Sequence, residues 1–378
     1  MKVLLVGNYA PDRQDSMQIY ASMLEQGLRA RGHEVRLLRP PAVLGARVAE
    51  SSPMFKWLGY TDKFLLFRRE LRRAAANADV VHLCDHSNAM YVPALVQRPH
   101  VVTCHDLLAI RSAMGHFPEN RVSLTGRIFQ RLIARGLRQA RALLCVSAKT
   151  RDDLRQYLAI PEGRLHLVPN ALHWPYKPLS ADVCPPLLAS IGLRPGEPYF
   201  LQVGGNHWYK NRGAAIEIFA ELGKLPQYAA ARLVMAGGAV KPELQAIAQK
   251  HGVGEALLGA ARLSQEQLQA LYSCALATLF PSLEEGFGWP ILEAQACGCP
   301  VVTTDRRPMN EVGGDAVILI DPAEPGAAAQ TIARALQDTA RIRAAGLVNA
   351  ATYTTDAMLE QCEVLYREMI AAAQLGTK

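Results

Sequence analysis

Two carboxylates and a glycine-rich turn make residues 281–300 the most chemically informative segment of the chain. The segment reads PSLEEGFGWPILEAQACGCP, with Glu285 in the turn and Glu293 eight positions later. An apolar run precedes the turn and a second one, PVVTT, ends the segment, so the pattern predicts strand, turn, short helix and strand. Pro290 suits the first helical position, and Gly298 suits the left-handed residue that follows a helix.

The start of this short helix is suited to binding an anion. The first N–H groups of a helix have no partner within it, and they favour negative charge such as a phosphate. A carboxylate accepts hydrogen bonds from two hydroxyl groups, so Glu285 and Glu293 suit the vicinal diols of sugars. A phosphate site with two nearby carboxylates predicts binding of a sugar nucleotide.

Buried-strand patterns alternate with helical patterns along the chain, which is typical of parallel α/β sheets. A proline-rich stretch interrupts this alternation within residues 171–197. We therefore expect two doubly wound, Rossmann-like domains that face a cleft. Residues 1–175 would form the first domain and residues 198–354 the second, joined by a linker at 176–197. The last helix, within 355–378, could cross back to the first domain.

Polar residues follow most of the predicted strands of the first domain. Ligands bind open parallel sheets beyond the carboxyl ends of the strands, so these residues are candidates for ligand contact. Taken singly, His105 is more often a histidine at the end of a sheet whose hydrogen bonds the protein itself satisfies. The candidates are Asn8, Asp85, His86, His105, Asp106, Ser147 and Asn170.

The composition is that of a globular protein. The chain has 378 residues, half of them hydrophobic and a fifth charged, and no apolar run approaches the roughly 18–20 residues that span a bilayer. The start, MKVLLVGNY, reads as a buried strand rather than a secretion signal, so we expect a cytoplasmic protein with reduced cysteines. Cys297 and Cys299 have C-x-C spacing without a second pair, which favours small buried thiols over a metal site.

The positive charge is concentrated in the first half of the chain. Residues 1–175 carry a net charge of +11 and the remainder −4, which predicts an anionic partner for the first domain. No basic recognition helix or RNA-binding aromatic motif accompanies this charge, so nucleic acid is not expected. Residues 53–73 mix aromatic and basic side chains, a pattern that suits a helix lying on an anionic membrane. The alternative is a helix packed on the sheet with a solvated basic face.

Several cofactor motifs are absent from the sequence. G-x-G-x-x-G does not follow the first strand, so a nicotinamide or flavin dinucleotide is not expected, and G-x4-G-K-[ST] is also missing. No D-x-D follows a strand. We expect no metal and no resident cofactor, the sugar nucleotide being a co-substrate.

The ordered set of motifs resembles the retaining glycosyltransferases of family 4, which have the two-domain GT-B fold. EGFGWPILE, residues 285–293, is similar to the E-x7-E signature of that family, and PILEAQACGCPVVTTD continues the likeness. Further segments resemble family segments in the expected order, so the resemblance covers nearly the whole chain: VVTCHD, LLCVSAKTRDDL, LHLVPNAL, FLQVGGNHWYKN, LLGAARLSQEQLQALYSCA, NEVGGDAVILIDP and LEQCEVLYREM.

The resemblance implies transfer of a hexosyl unit from a UDP- or GDP-linked sugar to an acceptor hydroxyl, with the anomeric configuration kept. The basic first domain favours a lipid-linked acceptor, or a polysaccharide or lipopolysaccharide precursor; a soluble acceptor is the alternative.

The resemblance also implies roles for particular residues. Glu285 would contact the hydroxyls of the donor sugar, Glu293 those of the ribose, and Lys210 would neutralise the diphosphate. His105 would orient the donor sugar from the opposite domain, and the base would lie near Arg262 and Leu263. The remaining expected contacts are Gly204, Gly286, Phe287, Gly288 and Trp289 to the donor, and Asn8, Asp15 and Ser16 on the acceptor side.

Three departures from the family pattern bear on these roles. Glu284 adjoins Glu285 and adds a negative charge near an anionic ligand, so we expect its side chain to face solvent. The first loop, NYAPDRQDSMQIY, lacks the glycines that often let the backbone approach a ligand. The arginine that often joins the lysine at the diphosphate is also missing, and only Arg212 lies near enough in sequence to replace it.

Other mechanisms and functions remain open at the level of sequence. Glu285 could act as a nucleophile, as in retaining glycosidases, but those enzymes need a second carboxyl about 5 Å away at the same bond. We favour a same-face mechanism in which the departing phosphate oxygen takes the acceptor's proton. A sugar-nucleotide epimerase of the same fold and a non-catalytic glycan-assembly subunit are the competing functions. A phosphorylase would need a pyridoxal phosphate lysine, which no motif here indicates.

Overall fold

The computed structural model describes residues 1–12, 14–41, 61–63, 67–180 and 182–375. These residues form two compact units. Unit 1 comprises Met1–His173 together with Thr355–Lys378, and unit 2 comprises Trp174–Thr354. Each unit is built around its own parallel β-sheet.

Unit 1 begins with alternating strands and helices, as the sequence pattern predicts. Its sheet has the order β2-β1-β3-β4-β5-β6, and every strand pairing is parallel. The strands β1 to β6 are Lys2–Val6, Glu34–Leu38, Val80–Leu83, His100–Cys104, Ala142–Cys145 and Leu165–Leu167. The helices α1 to α5 are Asp15–Ala30, Phe67–Ala76, Leu108–Met114, Leu124–Gln139 and Ala148–Leu158.

Unit 2 repeats this architecture. Its sheet has the order β12-β11-β10-β7-β8-β9, again with parallel pairing. The strands β7 to β12 are Tyr199–Val203, Arg232–Ala236, Leu257–Ala260, Thr278–Phe280, Val301–Thr304 and Val317–Ile320. The helices α6 to α13 are Cys184–Ala189, Arg212–Gly223, Pro242–Lys250, Gln265–Cys274, Trp289–Ala296, Met309–Gly313, Pro325–Ala335 and Thr339–Ala350. The stretch predicted as a linker contains α6, which packs against α9.

The last helix, α14 (Thr355–Leu375), packs on unit 1, which confirms the predicted crossing back to the first domain. Leu359 lies so close to Gly27 of α1 that a side chain at Gly27 would collide with it. Arg31 and His33 each lie within 3 Å of the carboxylate of Glu363, and the ring of His82 meets the hydroxyl of Tyr366 at 2.5 Å. Packing and polar contacts therefore both attach this helix to unit 1.

The order of strands reverses once in each sheet. In unit 1, β2 lies on one side of β1, and β3 to β6 follow on the other side. In unit 2, β8 and β9 lie on one side of β7, and β10 to β12 follow on the other side. Open α/β sheets bind ligands at such switch points, because the loops beyond the two strand ends diverge and leave a crevice. The loops after β1, β3, β7 and β10 are therefore where the geometry favours a site.

Candidate functional site

The segment at 281–300 folds as predicted, as strand, turn, helix and strand. Gly288 has a φ of +104° and directly precedes α10, where a side chain would be strained. Pro290 is the second residue of the helix rather than the first, a position that also needs no intrahelical N–H bond. Gly298 has the predicted left-handed backbone, with a φ of +70°. The start of α10 thus directly follows the turn that carries Glu285.

The loops after β7 and β10 meet in an ion pair. Lys210 Nζ lies 2.7 Å from Glu285 Oε1, and the two side chains are only 13 % and 9 % exposed. The ammonium also lies 5.0 Å from the centre of the Phe280 ring. Removal of water strengthens an ionic interaction, and removal of one partner leaves the other charge buried. The switch point of unit 2 therefore holds a largely desolvated cation and carboxylate.

Glu293 is a second buried carboxylate of the same unit. It lies on α10, is 5 % exposed, and accepts a hydrogen bond of 2.8 Å from the hydroxyl of Tyr272 on α9. Burial raises the pKa of Glu293 to about 7, although the Tyr272 hydroxyl and the charge of Lys210 both act to lower it. This carboxyl group is therefore close to half ionised at neutral pH, and additional hydrogen-bond donors would favour its anion.

A cavity lies next to the residues expected to hold the base. Its volume is about 560 Å³, and Arg262 and Leu263 line it together with Val203 and Ala236, the last residues of β7 and β8. Gly237, directly after β8, also lines it. The cavity is thus at the carboxyl edge of the unit 2 sheet, as is the Lys210–Glu285 pair.

Arg212 is occupied by contacts within unit 2. It is 4 % exposed; its guanidinium donates to the Gln202 amide oxygen at 3.1 Å, to Asn206, and to the backbone carbonyls of Gly238 and Ala239. These bonds connect the loop after β7 with the loop after β8. Arg212 is therefore a structural link between two loops at the sheet edge, and four of its five N–H donors are engaged there.

The other expected donor contacts are backbone groups or partly exposed side chains. Phe287 is buried, and its ring packs edge-on to Tyr353 with 6.0 Å between centroids. Gly204 has a φ of +147°, and a β-carbon added there would lie 3.1 Å from Cδ of Lys210. Trp289 is the first residue of α10 and is half-buried.

The switch point of unit 1 holds a hydrogen-bonded polar cluster. Asn8, after β1, donates its amide to Gln14 and to Asp85, the residue that follows β3 by two positions. It also accepts a 2.9 Å hydrogen bond from the Asn88 amide. Asp85 further accepts bonds from the backbone N–H and hydroxyl of Ser87, at 3.0 and 2.8 Å. The acceptor-side candidate Asn8 is thus the centre of a network that the protein itself satisfies.

Two histidines adjoin this cluster in opposite protonation states. His86 Nδ1 lies 3.0 Å from Asp85 Oδ1; burial alone would lower the pKa of His86, but the attraction of Asp85 raises it to about 8. Burial lowers the pKa of His105, which is 5 % exposed. His105 Nε2 donates to the Cys84 carbonyl at 2.9 Å, which leaves Nδ1 as an acceptor with no hydrogen-bond partner among the described residues. A buried acceptor of this kind can receive a substrate hydroxyl.

The remaining candidate residues of unit 1 lie outside the polar cluster around Asn8. Asp106 accepts from the Leu108 backbone at the start of α3, and Ser147 caps α5 by accepting from the Thr150 backbone. Asn170 is 3 % exposed. Asp15 and Ser16 are exposed at the start of α1, outside the polar cluster. Helix capping thus accounts for two polar residues that follow strands.

Much of the predicted membrane segment, residues 53–73, lies outside the described residues. Its described end forms the first part of α2, whose Phe67, Leu71, Ala74 and Ala75 are buried in the core of unit 1. Arg68, Arg69, Arg72 and Arg73 are exposed on the opposite face. For this helix, the alternative interpretation of a packed helix with a solvated basic face describes the arrangement. Among the described residues, no helix is both long and apolar enough to cross a bilayer.

Tyr272 contacts the candidate site residue Glu293, and the sequence did not single it out. It lies within the apolar pattern of α9 and is fully buried, so its position indicates a core residue. No local signal marks the hydroxyl that reaches Glu293, because the two residues meet only when α9 packs against α10. Cys297 and Cys299 are buried small side chains, and Cys299 Sγ lies 3.3 Å from the Thr278 hydroxyl.

Comparison with known families accounts for nearly the whole chain. Residues 17–173 match the family described as "Glycosyltransferase Family 4", and residues 187–352 match "Glycosyl transferases group 1". The two matches correspond closely to the first part of unit 1 and to unit 2.

Individual relatives agree with this assignment. The chain is 29 % identical to the O-antigen chain mannosyltransferase B of Escherichia coli over 71 % of this chain and 68 % of that protein. Its fold is similar to that of sucrose-phosphate synthase from Thermosynechococcus elongatus, with a TM-score of 0.75 at 20 % identity, covering 98 % and 100 % of the two chains. The Anabaena protein HepE in complex with UDP and glucose gives a TM-score of 0.70 at 17 % identity, over 96 % and 98 %. Both sheets, their helices and the returning last helix are those of the GT-B fold, and the chain belongs to glycosyltransferase family 4.

Proposed function

We propose that this glycosyltransferase moves a hexosyl unit from a UDP- or GDP-linked sugar to an acceptor hydroxyl with retention of configuration. We further propose that the acceptor is a lipid-linked precursor of a polysaccharide or lipopolysaccharide. The observation that carries the proposal is the buried Lys210–Glu285 pair at the switch point of unit 2, in the unit that also holds Glu293 and the start of α10. The likeness to an O-antigen mannosyltransferase supports the class of acceptor.

The donor's diphosphate suits the positive groups of unit 2. The N–H groups of Gly286 to Trp289 favour phosphate and sugar oxygens, and the Lys210 ammonium balances the charge that develops on the leaving diphosphate. When the donor binds, the ion pair of Glu285 with Lys210 weakens, and the carboxylate of Glu285 accepts hydrogen bonds from hydroxyl groups of the donor sugar. Since Arg212 is engaged by four acceptors, the lysine and the helix start supply this charge without it.

Glu293 suits the ribose of the nucleotide. One of its oxygens receives the Tyr272 hydroxyl, and the carboxylate can accept further hydroxyl donors. The base would then occupy the cavity next to Arg262 and Leu263, which is large enough to contain a planar heterocycle. His105 would accept a hydroxyl of the substrate through Nδ1, its other nitrogen being held by Cys84.

For the chemical step we propose a same-face substitution. The acceptor oxygen forms a bond to the anomeric carbon as the bond to the phosphate oxygen breaks, and the acceptor's proton moves to that departing oxygen. Glu285 acts as a hydrogen-bond acceptor of the sugar and not as a nucleophile, because the ion pair with Lys210 engages its carboxylate. The lysine provides the cationic charge at the diphosphate, so we propose that transfer does not require a divalent metal.

The proposal is tested with a panel of nucleotide sugars that includes GDP-mannose and UDP-glucose, with and without a lipid-linked oligosaccharide acceptor. We expect nucleotide release that depends on the acceptor, a product whose anomeric configuration matches the donor by NMR, and unchanged turnover in EDTA. Sugar interconversion that needs no acceptor would identify an epimerase instead. If no nucleotide sugar of the panel gave turnover or raised the melting temperature of the protein, the proposed transfer from a nucleotide sugar to a lipid-linked acceptor would be contradicted.

A further inference from the structure

Helix α4 carries an exposed apolar stripe. Leu124, Ile128 and Leu132 follow one another at intervals of four, so they lie on one side of the helix. Their exposed fractions are 77 %, 56 % and 42 %, although large aliphatic side chains in a well-packed unit are usually covered. On the neighbouring helix α3, Met114 is 46 % exposed. The unit thus presents a row of apolar side chains to the outside.

The opposite side of α4 is firmly packed, which fixes the direction in which the stripe points. Ile133, Ala134 and Leu137 belong to the core of unit 1. Gly136 lies so close to the backbone of Ala89 that an added β-carbon would be 1.9 Å from the Ala89 carbonyl oxygen. The helix cannot rotate to bury its stripe without losing this close packing.

A row of arginines runs beside the apolar stripe. Arg127, Arg131 and Arg135 are exposed and also follow one another at intervals of four, and Arg121 precedes the helix. The helix contains no aspartate or glutamate. None of these three arginines of the helix has an ion-pair partner within the part of the chain that the structure describes. Apolar and cationic groups therefore lie side by side without neutralisation.

We propose that this surface, the α4 face formed by Leu124, Ile128, Leu132, Arg127, Arg131 and Arg135, docks on an anionic lipid bilayer. The aliphatic side chains enter the boundary between headgroups and acyl chains, and the guanidinium groups bind lipid phosphates. A row of apolar residues beside a row of cations is the pattern of helices that lie in the membrane interface. A second copy of the chain is a poor occupant, because two such faces would bring their arginines together.

Helix α2 shows why exposed positive charge alone does not identify a membrane-docking surface. It also has an exposed basic face, formed by Arg68, Arg69, Arg72 and Arg73, but its large apolar side chains are buried in the core. Its arginines can attract anionic lipid, but these residues include no exposed apolar side chain that could enter the bilayer. We therefore place the membrane contact, which the sequence suggested for residues 53–73, on α4. This placement deepens the proposed function, since a docked enzyme meets a lipid-linked acceptor at the surface where that acceptor resides.

The test is co-sedimentation of the full chain with phosphatidylcholine vesicles that contain or lack phosphatidylglycerol. We expect binding only to the anionic vesicles and weaker binding at high salt. Each arginine near such a surface contributes roughly fivefold to affinity, so the triple variant Arg127→Gln, Arg131→Gln, Arg135→Gln should lose on the order of 100-fold. The triple variant Leu124→Ser, Ile128→Ser, Leu132→Ser should also bind weakly, and its residual binding should disappear at high salt.

The matched control is Arg68→Gln, Arg69→Gln, Arg72→Gln, which removes the same charge from α2. We expect it to retain most of the wild-type binding. An equal loss in both arginine variants would assign binding to net charge and overturn the proposal. So would absence of binding by the wild type, or a dimer in size-exclusion chromatography that the serine variant dissociates.

Vesicle binding needs no turnover, so its outcome is separable from that of the proposed function. Nucleotide-induced thermal stabilisation in the same variants reports whether unit 2 remains folded and able to bind. A chain that binds vesicles through α4 but transfers no sugar would contradict only the proposed function. A chain that transfers sugar to a lipid-linked oligosaccharide dissolved in detergent but does not bind anionic vesicles would contradict only the docking surface.

Discussion

The two sheets place different chemistry at the same topological position. At the switch point of unit 1, Asn8, Asp85 and their neighbours satisfy one another, and Nδ1 of His105 is left as a buried acceptor. At the switch point of unit 2, Lys210 and Glu285 are paired while Glu293, elsewhere in that unit, is held near half ionisation. The cluster of unit 1 is a hydrogen-bond network that the protein itself satisfies. Unit 2 instead contains charged groups that could exchange their present partners for a ligand. This difference is the reason why we propose unit 2 as the unit that recognises the charged donor, and the network of unit 1 as the support of a histidine.

The largest expected effect follows from removal of the cation of unit 2. Lys210→Ala should lower kcat/KM by about 10³-fold, since it removes charge stabilisation of the leaving diphosphate and leaves Glu285 unpaired. Lys210→Arg keeps the charge and should recover a substantial part of the activity. Lys224→Ala, a change in an exposed ion pair, should leave kinetics unchanged. If kcat/KM of Lys210→Ala fell by less than about fivefold, the lysine would not stabilise the leaving diphosphate in the reaction.

The second prediction separates the roles of the two units. Glu293→Ala should weaken binding of the free nucleotide diphosphate by about 10- to 100-fold, because hydrogen bonds to a charged acceptor are lost. His105→Ala should leave this affinity within about twofold and lower kcat by on the order of 10-fold. Calorimetric titration and steady-state kinetics measure the two effects, with exposed Glu243→Ala as a control. The reverse pattern would mean that the roles are exchanged.

The third prediction uses the pKa of about 7 that burial gives to Glu293. Hydroxyl donors favour the anion, so nucleotide affinity should fall as the pH decreases below 7, by at most about tenfold per pH unit. Affinity should level off above pH 8, where the carboxylate is already ionised. Titrations across this range should show the slope in the wild type and its absence in Glu293→Gln. An identical slope in both proteins would assign the titration to another group.

The smallest expected effect concerns the stability of unit 1. Since Asp85 raises the pKa of His86 to about 8, the pair stabilises the folded state fully below pH 6.5, the ordinary pKa of histidine. That contribution is lost as the pH rises through 8, and it amounts to about 1–2 kcal/mol. His86→Gln should therefore lower Tm by a few degrees at pH 6 and by much less at pH 9. A difference in Tm independent of pH would show that the histidine acts only through packing.

Local signals were sufficient for the elements that carry the site. Glycine at both ends of α10, a proline in its first turn and apolar runs on both sides predict the strand, turn, helix and strand that the structure contains. Each of these signals acts over a few residues, through allowed backbone angles and unpaired N–H groups. The order of such segments along the chain also indicated the family, and the pattern of parallel strands predicts binding of ligands at the carboxyl edge of each sheet.

Packing between distant segments decided the rest. Arg212 follows Lys210 by two positions, yet it faces inward because Gln202, Asn206 and the loop after β8 together offer it four acceptors. Tyr272 became part of the site only when α9 packed on α10. The basic segments α2 and α4 look alike in composition, but one buries its apolar side and the other exposes part of it. The sequence by itself determined the elements around the candidate site, the family and the residue types at the sheet edges, because those depend on local backbone preference and order. Which polar groups are satisfied, and which faces are covered, was decided by the tertiary structure, because burial depends on neighbours far away in the chain.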